Sequence, residues 1–262
     1  MVASEHRRAK DGWRLPSGIR ELDALLGGGI EGGSSTLIVG PPGTGKSSLA
    51  AQFVATAAAS GEHAAMFIFD ESVGMLLSRS ASLGADLEAH RAAGRLTIQP
   101  VDPAELSPGE FAETIRRSVE DDGARVIVID SLNGYLNSMP EERFLTNQLH
   151  ELLSYLGHQG VATLMIGAHQ GLIGTQMTSP VDATYLADSV ILLRYFEAQG
   201  EVRQAISIFK KRGGEHERTI RELRLEGGGI RVGAPLRDFQ GVLTGTPRFV
   251  GADRPLMDRR EP

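Results

Sequence analysis

The feature that most restricts the fold of this sequence is the segment Gly40–Ser47, which fits the phosphate-binding pattern G-x-x-x-x-G-K-S/T without a mismatch. A short apolar run, Thr36–Val39, precedes the segment, and Ser48–Phe53 after it favours a helix. This order of strand, loop and helix lets backbone N–H groups and the positive end of the helix meet phosphate oxygens. The segment therefore predicts binding of a nucleoside triphosphate.

The residues of this loop have separable predicted roles. Lys46 is expected to reach the β- and γ-phosphates, and the hydroxyl of Ser47 is a ligand suited to Mg²⁺. A glycine-rich turn before an ordinary helix is the alternative, and both the complete match and its context argue against it. The predicted nucleotide-binding residues of the loop are Gly43, Thr44, Gly45, Lys46, Ser47 and Ser48.

The composition of the chain argues against several classes of partner and site. The 262 residues include 27 Lys+Arg and 33 Asp+Glu, for a net charge of −6, so no overall positive field attracts nucleic acid or anionic membrane. The absence of cysteine excludes disulfides and thiolate metal sites, and no apolar run reaches the length of a membrane span. Met1–Arg8 has no apolar segment typical of a secretory signal. We expect a cytoplasmic protein that contacts neither membrane nor nucleic acid.

Apolar runs of strand length alternate with helical patterns through the first two thirds of the chain. After the loop, the predicted strands of this part are Ala64–Phe69, Leu96–Gln99, Val126–Ile129 and Val161–Ile166. From residue 187 the rhythm changes, because three further apolar runs follow one another without intervening helices: Val190–Leu193, Ala205–Phe209 and Ile220–Leu225. The pattern predicts an α/β fold with a mostly parallel, twisted sheet flanked by helices, and antiparallel strands added at its C-terminal end.

The charged ends of the chain have the composition of linkers. Residues 1–12 are polar and without pattern, and residues from about 247 onward are again charged. We therefore predict a flexible tail at 1–12, one domain at 13–246, and a C-terminal tail at 247–262.

Acidic residues follow two of the predicted strands. Asp130 ends one strand, and Asp70 and Glu71 follow another. Because the carboxyl ends of parallel strands form one rim, these carboxylates are expected beside the phosphate loop. We predict that Asp130 and Glu71 join Ser47 around a magnesium ion, and that Glu71 is the general base. The alternative is that Asp70, Glu71 and Ser72 simply cap the helix that follows them.

A basic cluster, Lys210–Gly213, ends a strand far along the chain. Cations in such a place could stabilise charge on a γ-phosphoryl group if a neighbouring subunit presented them. The alternative is a solvated charged face, which is the ordinary role of such clusters.

From Leu15 to Gly251 the sequence resembles the KaiC-like branch of the RecA-type P-loop ATPases, and most closely their C-terminal repeat. The resemblance is carried by Leu15–Ile19 with Gly27–Gly29, the phosphate loop, Phe69–Ser72, Val128–Leu132, Asp188–Leu193, and Phe209–Gly213 with His216. It implies a RecA-like core that uses ATP and Mg²⁺, and a homo-oligomeric ring, commonly a hexamer, with ATP held between subunits.

The resemblance also implies roles for particular residues. Asp70 and Glu71 match the family's pair of catalytic carboxylates, with Glu71 as the base. Lys210 and Arg212 match its K-x-R-G segment, which reaches the neighbouring subunit's nucleotide, and Gly213 with His216 continues that nucleotide-contacting segment.

The sequence departs from the clock proteins of this family in several places. Asp70 stands where a glutamate is usual, and one such domain is present rather than two. The pair of hydroxyl residues that the clock protein phosphorylates on itself corresponds to Thr184 and Tyr185, which leaves Thr184 as the possible phosphoacceptor. The activating C-terminal tail has no counterpart in Arg254–Pro262.

Three functions remain open from the sequence. The first is an ATP-hydrolysing ring, with possible Ser/Thr autokinase activity, that reports to a signalling protein partner. The second is a DNA-binding recombinase or mediator, since such relatives share this core, although the acidic balance and 5% aromatic content argue against a nucleic-acid groove. The third is a nucleotide-binding scaffold without turnover.

Overall fold

The computed structural model describes residues 12–102, 105–137, 142–168, 183–243 and 247–250. The strands are β1 (Arg14–Leu15), β2 (Ile30–Glu31), β3 (Ser35–Gly40), β4 (His63–Ile68), β5 (Leu96–Pro100), β6 (Ala124–Asp130), β7 (Ala162–Ala168), β8 (Ser189–Ala198), β9 (Glu201–Lys211), β10 (Ile220–Glu226), β11 (Gly229–Pro235), β12 (Phe239–Gln240) and β13 (Arg248–Phe249). The helices are α1 (Arg20–Leu25), α2 (Lys46–Ala59), α3 (Val73–Ser82), α4 (Leu87–Ala92), α5 (Pro108–Glu120), α6 (Leu132–Asn137) and α7 (Glu142–His158), with a short 3-10 turn at Ala183–Tyr185.

Nine of these strands form one sheet in the order β11-β10-β9-β8-β3-β7-β6-β4-β5. The strands from β8 to β5 in this order are parallel, and β9, β10 and β11 are each antiparallel to their neighbours. The predicted α/β fold, with a mostly parallel sheet and antiparallel strands added late in the chain, is confirmed.

Helices cover both faces of the sheet. Successive side chains of a strand point to opposite faces, so the apolar side chains on both faces are buried beneath these helices. Ile38 and Val128 belong to a core that includes residues of α1–α4, whereas Leu37 and Ile129 belong to a core that includes residues of α5–α7. Each of these four side chains is at most 2% exposed. Burial on both faces explains why the strands are continuous apolar runs in the sequence.

Different segments of the chain lie at the two edges of the sheet, where its parallel strands begin and where they end. The register aligns Ile68, Asp130, Ile166 and Ile38 in one row across β4, β6, β7 and β3. The segments that follow β3 and β4, together with Asp130 itself, therefore meet at the carboxyl edge. The amino edge, where β3 and β8 begin, carries the end of β9, because Lys211 pairs with Ser189.

The helix ends follow the local sequence. Ser107 and Glu110 form a capping box at the start of α5, with proline in the first helical turn. The side chain of Ser72 caps α3 by accepting a hydrogen bond from the backbone of Met75 at 3.3 Å. The cap at Ser72 fixes where α3 begins directly behind the acidic segment.

The structure corrects the expectations at several places. The strand β11 and the short helix α4 were not predicted, and ordered structure continues beyond the boundary at residue 246. There, Arg248–Phe249 pairs with Phe239–Gln240, and the Phe239 and Phe249 rings lie 5.2 Å apart. Pairing of aromatic side chains, rather than a hydrophobic run, holds this short strand pair.

None of the helices that the structure describes is both long enough and apolar enough to span a bilayer.

Candidate nucleotide-binding site

The phosphate loop connects β3 to α2 and depends on two glycines in the left-handed region. Gly43 has φ 80° and Gly45 has φ 93°, which a side chain would make unfavourable. The Thr44 hydroxyl donates a hydrogen bond of 2.8 Å to the carbonyl of Pro41 and closes the turn. These features shape the loop and lead into α2, which starts at Lys46.

Side chains of strands β8 and β10 contact the outer side of this loop. The Tyr195 hydroxyl donates to the carbonyl of Pro42 at 3.1 Å, and a Cβ at Gly43 would lie 2.6 Å from the same hydroxyl. A Cβ at Gly45 would lie 2.5 Å from a methyl group of Leu225. The glycines are thus required by space as well as by backbone angle.

A cavity of about 350 Å³ opens at the loop. Its lining residues are Gly43, Gly45, Lys46, Ser47, Ser48, Arg79, Ser82, Leu83 and Leu225. Lys46 is buried, and its ammonium donates to the Pro41 carbonyl at 2.9 Å. Burial lowers the pKa of Lys46, and the negative charge of Asp130 acts against that shift. The loop carbonyl is a partner that an incoming phosphate oxygen would replace.

Asp130 lies beside the loop, as predicted from its place at a strand end. Burial raises the pKa of this carboxyl group, whereas a hydrogen bond from Ser47 and the charges of Arg79 and Lys46 act in the opposite direction. A hydroxyl and a carboxylate in contact are hard oxygen donors of the kind that Mg²⁺ prefers. The donor set therefore fits a magnesium ion that keeps several waters and phosphate ligands.

Such an ion would have few protein ligands here. Among the described residues, no group of three or more His, Asp or Glu side chains could hold a metal by itself. That finding agrees with a Mg²⁺–triphosphate site, in which one or two protein oxygens suffice because phosphates supply the others.

The predicted catalytic carboxylates lie at this same edge, but each has a protein partner. Both oxygens of Glu71 accept hydrogen bonds from the guanidinium of Arg79, one of them at 2.8 Å. Asp70 accepts a hydrogen bond of 2.6 Å from the Ser131 hydroxyl. The charge of Glu71 also acts on Asp130, so the two carboxylates share one electrostatic environment.

Lys210 lies at the opposite, amino edge of the sheet. It pairs with Val190, which pairs with Leu37 near the start of β3. Its ammonium donates to the carbonyls of Thr184 and Ala187 at 2.9 Å and 2.7 Å. Lys210 therefore ties the turn that precedes β8 to the end of β9.

Arg212 lies next to Lys210 at the same edge. Its guanidinium donates to the carbonyl of Tyr185 at 2.9 Å and lies 3.5 Å from a carboxylate oxygen of Asp188. Its backbone N–H donates to the carbonyl of Asp188, whose carboxylate accepts from the backbone of Ser35. Arg212 is thus fixed at the level where β3 begins.

The rest of the K-x-R-G segment is packed against the turn between α1 and β2. Lys211 is nearly inaccessible and lies 3.9 Å from Glu31, and a Cβ at Gly213 would lie 2.4 Å from the same carboxylate. Burial and the charges of Arg218 and Lys211 lower the pKa of His216. Glu31 thus limits what can stand at the position of Gly213.

The two edges are too far apart for these cations to reach the chain's own phosphate loop. Strand β3 has six residues from Ser35 to Gly40, and at about 3.3 Å per residue its ends are about 17 Å apart. The structure therefore brings together Lys46, Ser47 and the acidic residues, and keeps Lys210, Arg212, Gly213 and His216 away from them.

The predicted phosphoacceptor is also at the amino edge. Thr184 lies in the 3-10 turn Ala183–Tyr185, next to Tyr185, whose side chain is 53% exposed. The carbonyl groups of both residues accept hydrogen bonds from the two cations described above. Thr184 therefore shares its position with the basic segment and not with the phosphate loop.

Sequence reasoning missed Arg79, Tyr195 and Leu225, and also Ser82 and Leu83 of the cavity lining. Arg79 carried one available signal, because it follows Glu71 by eight residues on a helix that starts directly behind it. Tyr195 and Leu225 carried none, since their contacts with the loop depend on how the antiparallel strands pack.

Comparison with known proteins identifies a family for most of the chain. A family model described as the KaiC ATPase matches residues 15–237. The chain is 28% identical over 249 residues to the circadian clock protein KaiC3 of Synechocystis sp., which covers 95% of this chain and 49% of that relative. It is 29% identical over 240 residues to the circadian clock oscillator protein KaiC of Synechococcus elongatus, which covers 92% of this chain and 46% of that relative. The chain thus spans about half the length of these curated relatives.

Proposed function

The chain belongs to the KaiC family of ATPases, and we propose that it hydrolyses ATP with Mg²⁺ in a homo-oligomeric ring that holds ATP between subunits. The observation that carries this proposal is the cavity of about 350 Å³ that Lys46 and Ser47 line, together with Asp130, which accepts a hydrogen bond from Ser47. Fold alone would not support it, because related cores serve other functions.

Binding is the role proposed for the loop residues. The backbone N–H groups between Gly43 and Ser48 bind phosphate oxygens, and Lys46 exchanges the Pro41 carbonyl for the β- and γ-phosphates. Ser47 and Asp130 hold the magnesium ion, either directly or through its waters. When bound, the ion neutralises charge that develops on the phosphate oxygens.

Glu71 is proposed as the general base of hydrolysis. It orients a water molecule toward the γ-phosphorus and takes its proton, while the bond from that phosphorus to the bridging oxygen breaks. The products are ADP and inorganic phosphate. Asp70, which Ser131 holds at 2.6 Å, positions the segment that carries Glu71.

The amino edge is proposed to complete the site of the next subunit. Lys210 lies level with Leu37 and Arg212 level with the start of β3, about 10 Å and about 17 Å along the strand from the loop. Because both cations are also bonded to backbone carbonyls of the amino edge, a contact with nucleotide requires another copy of the chain. A guanidinium supplied in this way stabilises the charge of the transferred phosphoryl group. A hexamer is the assembly that the family resemblance favours.

A second output is favoured by the position of Thr184. The turn around Thr184 is held by the two cations that we propose to reach the neighbour's nucleotide. A hydroxyl placed there can take the γ-phosphoryl group in place of water, with its proton passing to the neighbour's Glu71. Because Tyr185 occupies the adjacent position, at most one efficient acceptor is present. The nucleotide or phosphorylation state would then be read by a signalling partner.

One experiment separates these outputs from the alternatives. The purified chain is incubated with γ-labelled ATP and Mg²⁺, and labelled protein is separated from free phosphate, with Thr184→Ala run in parallel. Release of phosphate alone identifies an ATPase, and label that Thr184→Ala removes identifies an autokinase. Bound ATP without either product would identify a scaffold, and a salt-dependent shift with single-stranded DNA would favour the recombinase class.

A further inference from the structure

Arg79 is placed between the proposed base and the proposed phosphate site. Its guanidinium binds both oxygens of Glu71, and its side chain also lines the cavity at the phosphate loop. No other cation among the described residues has both contacts, because Lys46 is bonded to a loop carbonyl. One side chain therefore links the group that would react to the space that the triphosphate would fill.

The helix that carries Arg79 holds it in this position. α3 is capped by Ser72, and its residues Leu76 and Ser80 are almost completely buried. The helix is thus fixed at its start and along its packed face. Movement of Arg79 between partners can take place in its side chain, without displacement of α3.

The guanidinium has donors beyond those that Glu71 uses. Of its five N–H groups, two are accepted by Glu71, and the buried Nε has no hydrogen-bond partner within the part of the chain that the structure describes. A buried donor without a partner is unfavourable, so a further acceptor beside this guanidinium would stabilise it. Phosphate oxygens are strong acceptors with the geometry that arginine binds in pairs.

The same pairing restrains Glu71. A carboxylate whose two oxygens both accept charge-assisted hydrogen bonds has less room to hold a water molecule. A terminal phosphate that enters the cavity competes with Glu71 for the same cation. The charge of Arg79 also acts on Asp130, so this cation influences both Glu71 and Asp130.

We propose that Arg79 senses the terminal phosphate: its guanidinium binds either Glu71 or the γ-phosphate of ATP, and Glu71 is released when the phosphate is bound. ADP lacks that phosphate and leaves the pair intact. The inference rests on the proposed ATPase function and adds to it a residue of the same subunit that separates ATP from ADP. A ligand shifts such an equilibrium only by its difference in affinity for the two states, which here is the contact with Arg79.

The test compares binding of two probes, ADP and the non-hydrolysable analogue AMP-PNP, by calorimetry at one Mg²⁺ concentration. Arg79→Gln keeps a polar but shorter side chain and removes the charge. It should weaken AMP-PNP binding about tenfold or more while changing ADP binding little, as expected for a lost hydrogen bond to a charged group. Arg79→Lys keeps the charge without the paired donors. Its affinity for AMP-PNP should therefore lie between that of the unaltered chain and that of Arg79→Gln. The matched control is Arg91→Gln, because Arg91 also pairs with a glutamate, Glu88, from an exposed position on α4.

A second variant tests the release of Glu71 without altering Arg79. Glu71→Gln removes the competing charge and should tighten AMP-PNP relative to ADP several-fold, and this gain should vanish when Arg79→Gln is also present. The measurement on Glu71→Gln alone remains informative even if Arg79→Gln does not fold.

The outcomes distinguish the inference from the function on which it rests. Equal weakening of both probes by Arg79→Gln, or no effect of Glu71→Gln on their ratio, would overturn the sensing role while leaving ATP binding intact. Failure of the unaltered chain to bind either probe would overturn the proposed function, and the inference with it.

Discussion

The carboxyl and amino edges of the sheet both carry cations that a phosphate could use, but they hold them in different ways. At the carboxyl edge, Lys46 and Arg79 line a cavity and face acidic groups. At the amino edge, Lys210 and Arg212 are bonded to backbone carbonyls of the turn before β8. The first edge encloses a space for a ligand, whereas the second presents a braced surface.

This difference indicates how one chain can contribute to two sites. A cavity with glycines, a buried lysine and a carboxylate can bind a nucleotide by itself. A surface whose cations are held by carbonyls can act on a nucleotide only when another molecule brings one to it. Changes at the first edge should therefore abolish binding, and changes at the second should affect turnover in assemblies alone.

The largest effect is expected from Lys46→Ala. The change removes the only side-chain cation of the loop, so nucleotide binding and turnover should both be lost while the fold is kept. Titration with a fluorescent ATP analogue, beside a turnover assay, checks this. Arg212→Ala is the matched change at the other edge and should leave binding intact, and equal loss of binding in the two variants would remove the distinction between the edges.

Glu71→Gln should lower turnover by about 10²-fold or more with binding retained, as expected for a lost general base. A steady-state phosphate-release assay at saturating ATP measures the effect. Asp70→Asn is the control, because Asp70 is bonded to Ser131 and should act only on position. A greater loss in Asp70→Asn than in Glu71→Gln would show that the two roles are reversed.

An intermediate effect is expected from mixed assemblies. Rings that contain Arg212→Ala and Lys46→Ala subunits should recover part of the activity, because an intact loop can face an intact arginine across some interfaces. Native mass spectrometry confirms mixing, and phosphate release measures recovery. Inactive rings that are proven to be mixed would place Arg212 in the same site as its own loop.

The smallest effect is expected on stability. Because burial raises the pKa of Asp130 in the folded chain, ionisation of this group opposes folding as the pH rises above the usual range of a carboxyl group. Asp130→Asn should therefore raise the Tm of the nucleotide-free chain near pH 7, by about 2–4 °C for each kcal/mol, and less at pH 4. Thermal melts at both pH values check the sign. A lower Tm at pH 7 would mean that the contacts of Asp130 outweigh its burial.

The parallel core could be predicted because its strands are buried on both faces. Runs such as Val126–Ile129 can satisfy that burial only inside the sheet, and the phosphate loop fixes which strand leads to the ligand. The carboxylates after β4 and β6 followed from the same rule, since the ends of parallel strands share one rim. Family and fold were thus readable from the sequence alone.

The remaining features depend on contacts that no local pattern records. Strand β11 was missed because Gly227–Gly229 at its start are typical of a turn, and because the exposed Arg231 interrupts its apolar residues. The pairing of Glu71 with Arg79 depends on the direction in which α3 leaves the sheet. Neither the spacing nor the composition of the segment fixes that direction.

The packing of Tyr195 and Leu225 against the phosphate loop determines what a minimal version of this domain must contain. Every residue of the nucleotide-binding pattern and every acidic residue of the site precedes residue 131, yet one wall of the cavity comes from residues beyond 189. A fragment cut after β7 would keep the full signature of an ATP site and leave Gly43 and Gly45 uncovered. The recognisable motif and the working module are therefore of different lengths, and only the longer one is a unit that could be transplanted to another protein.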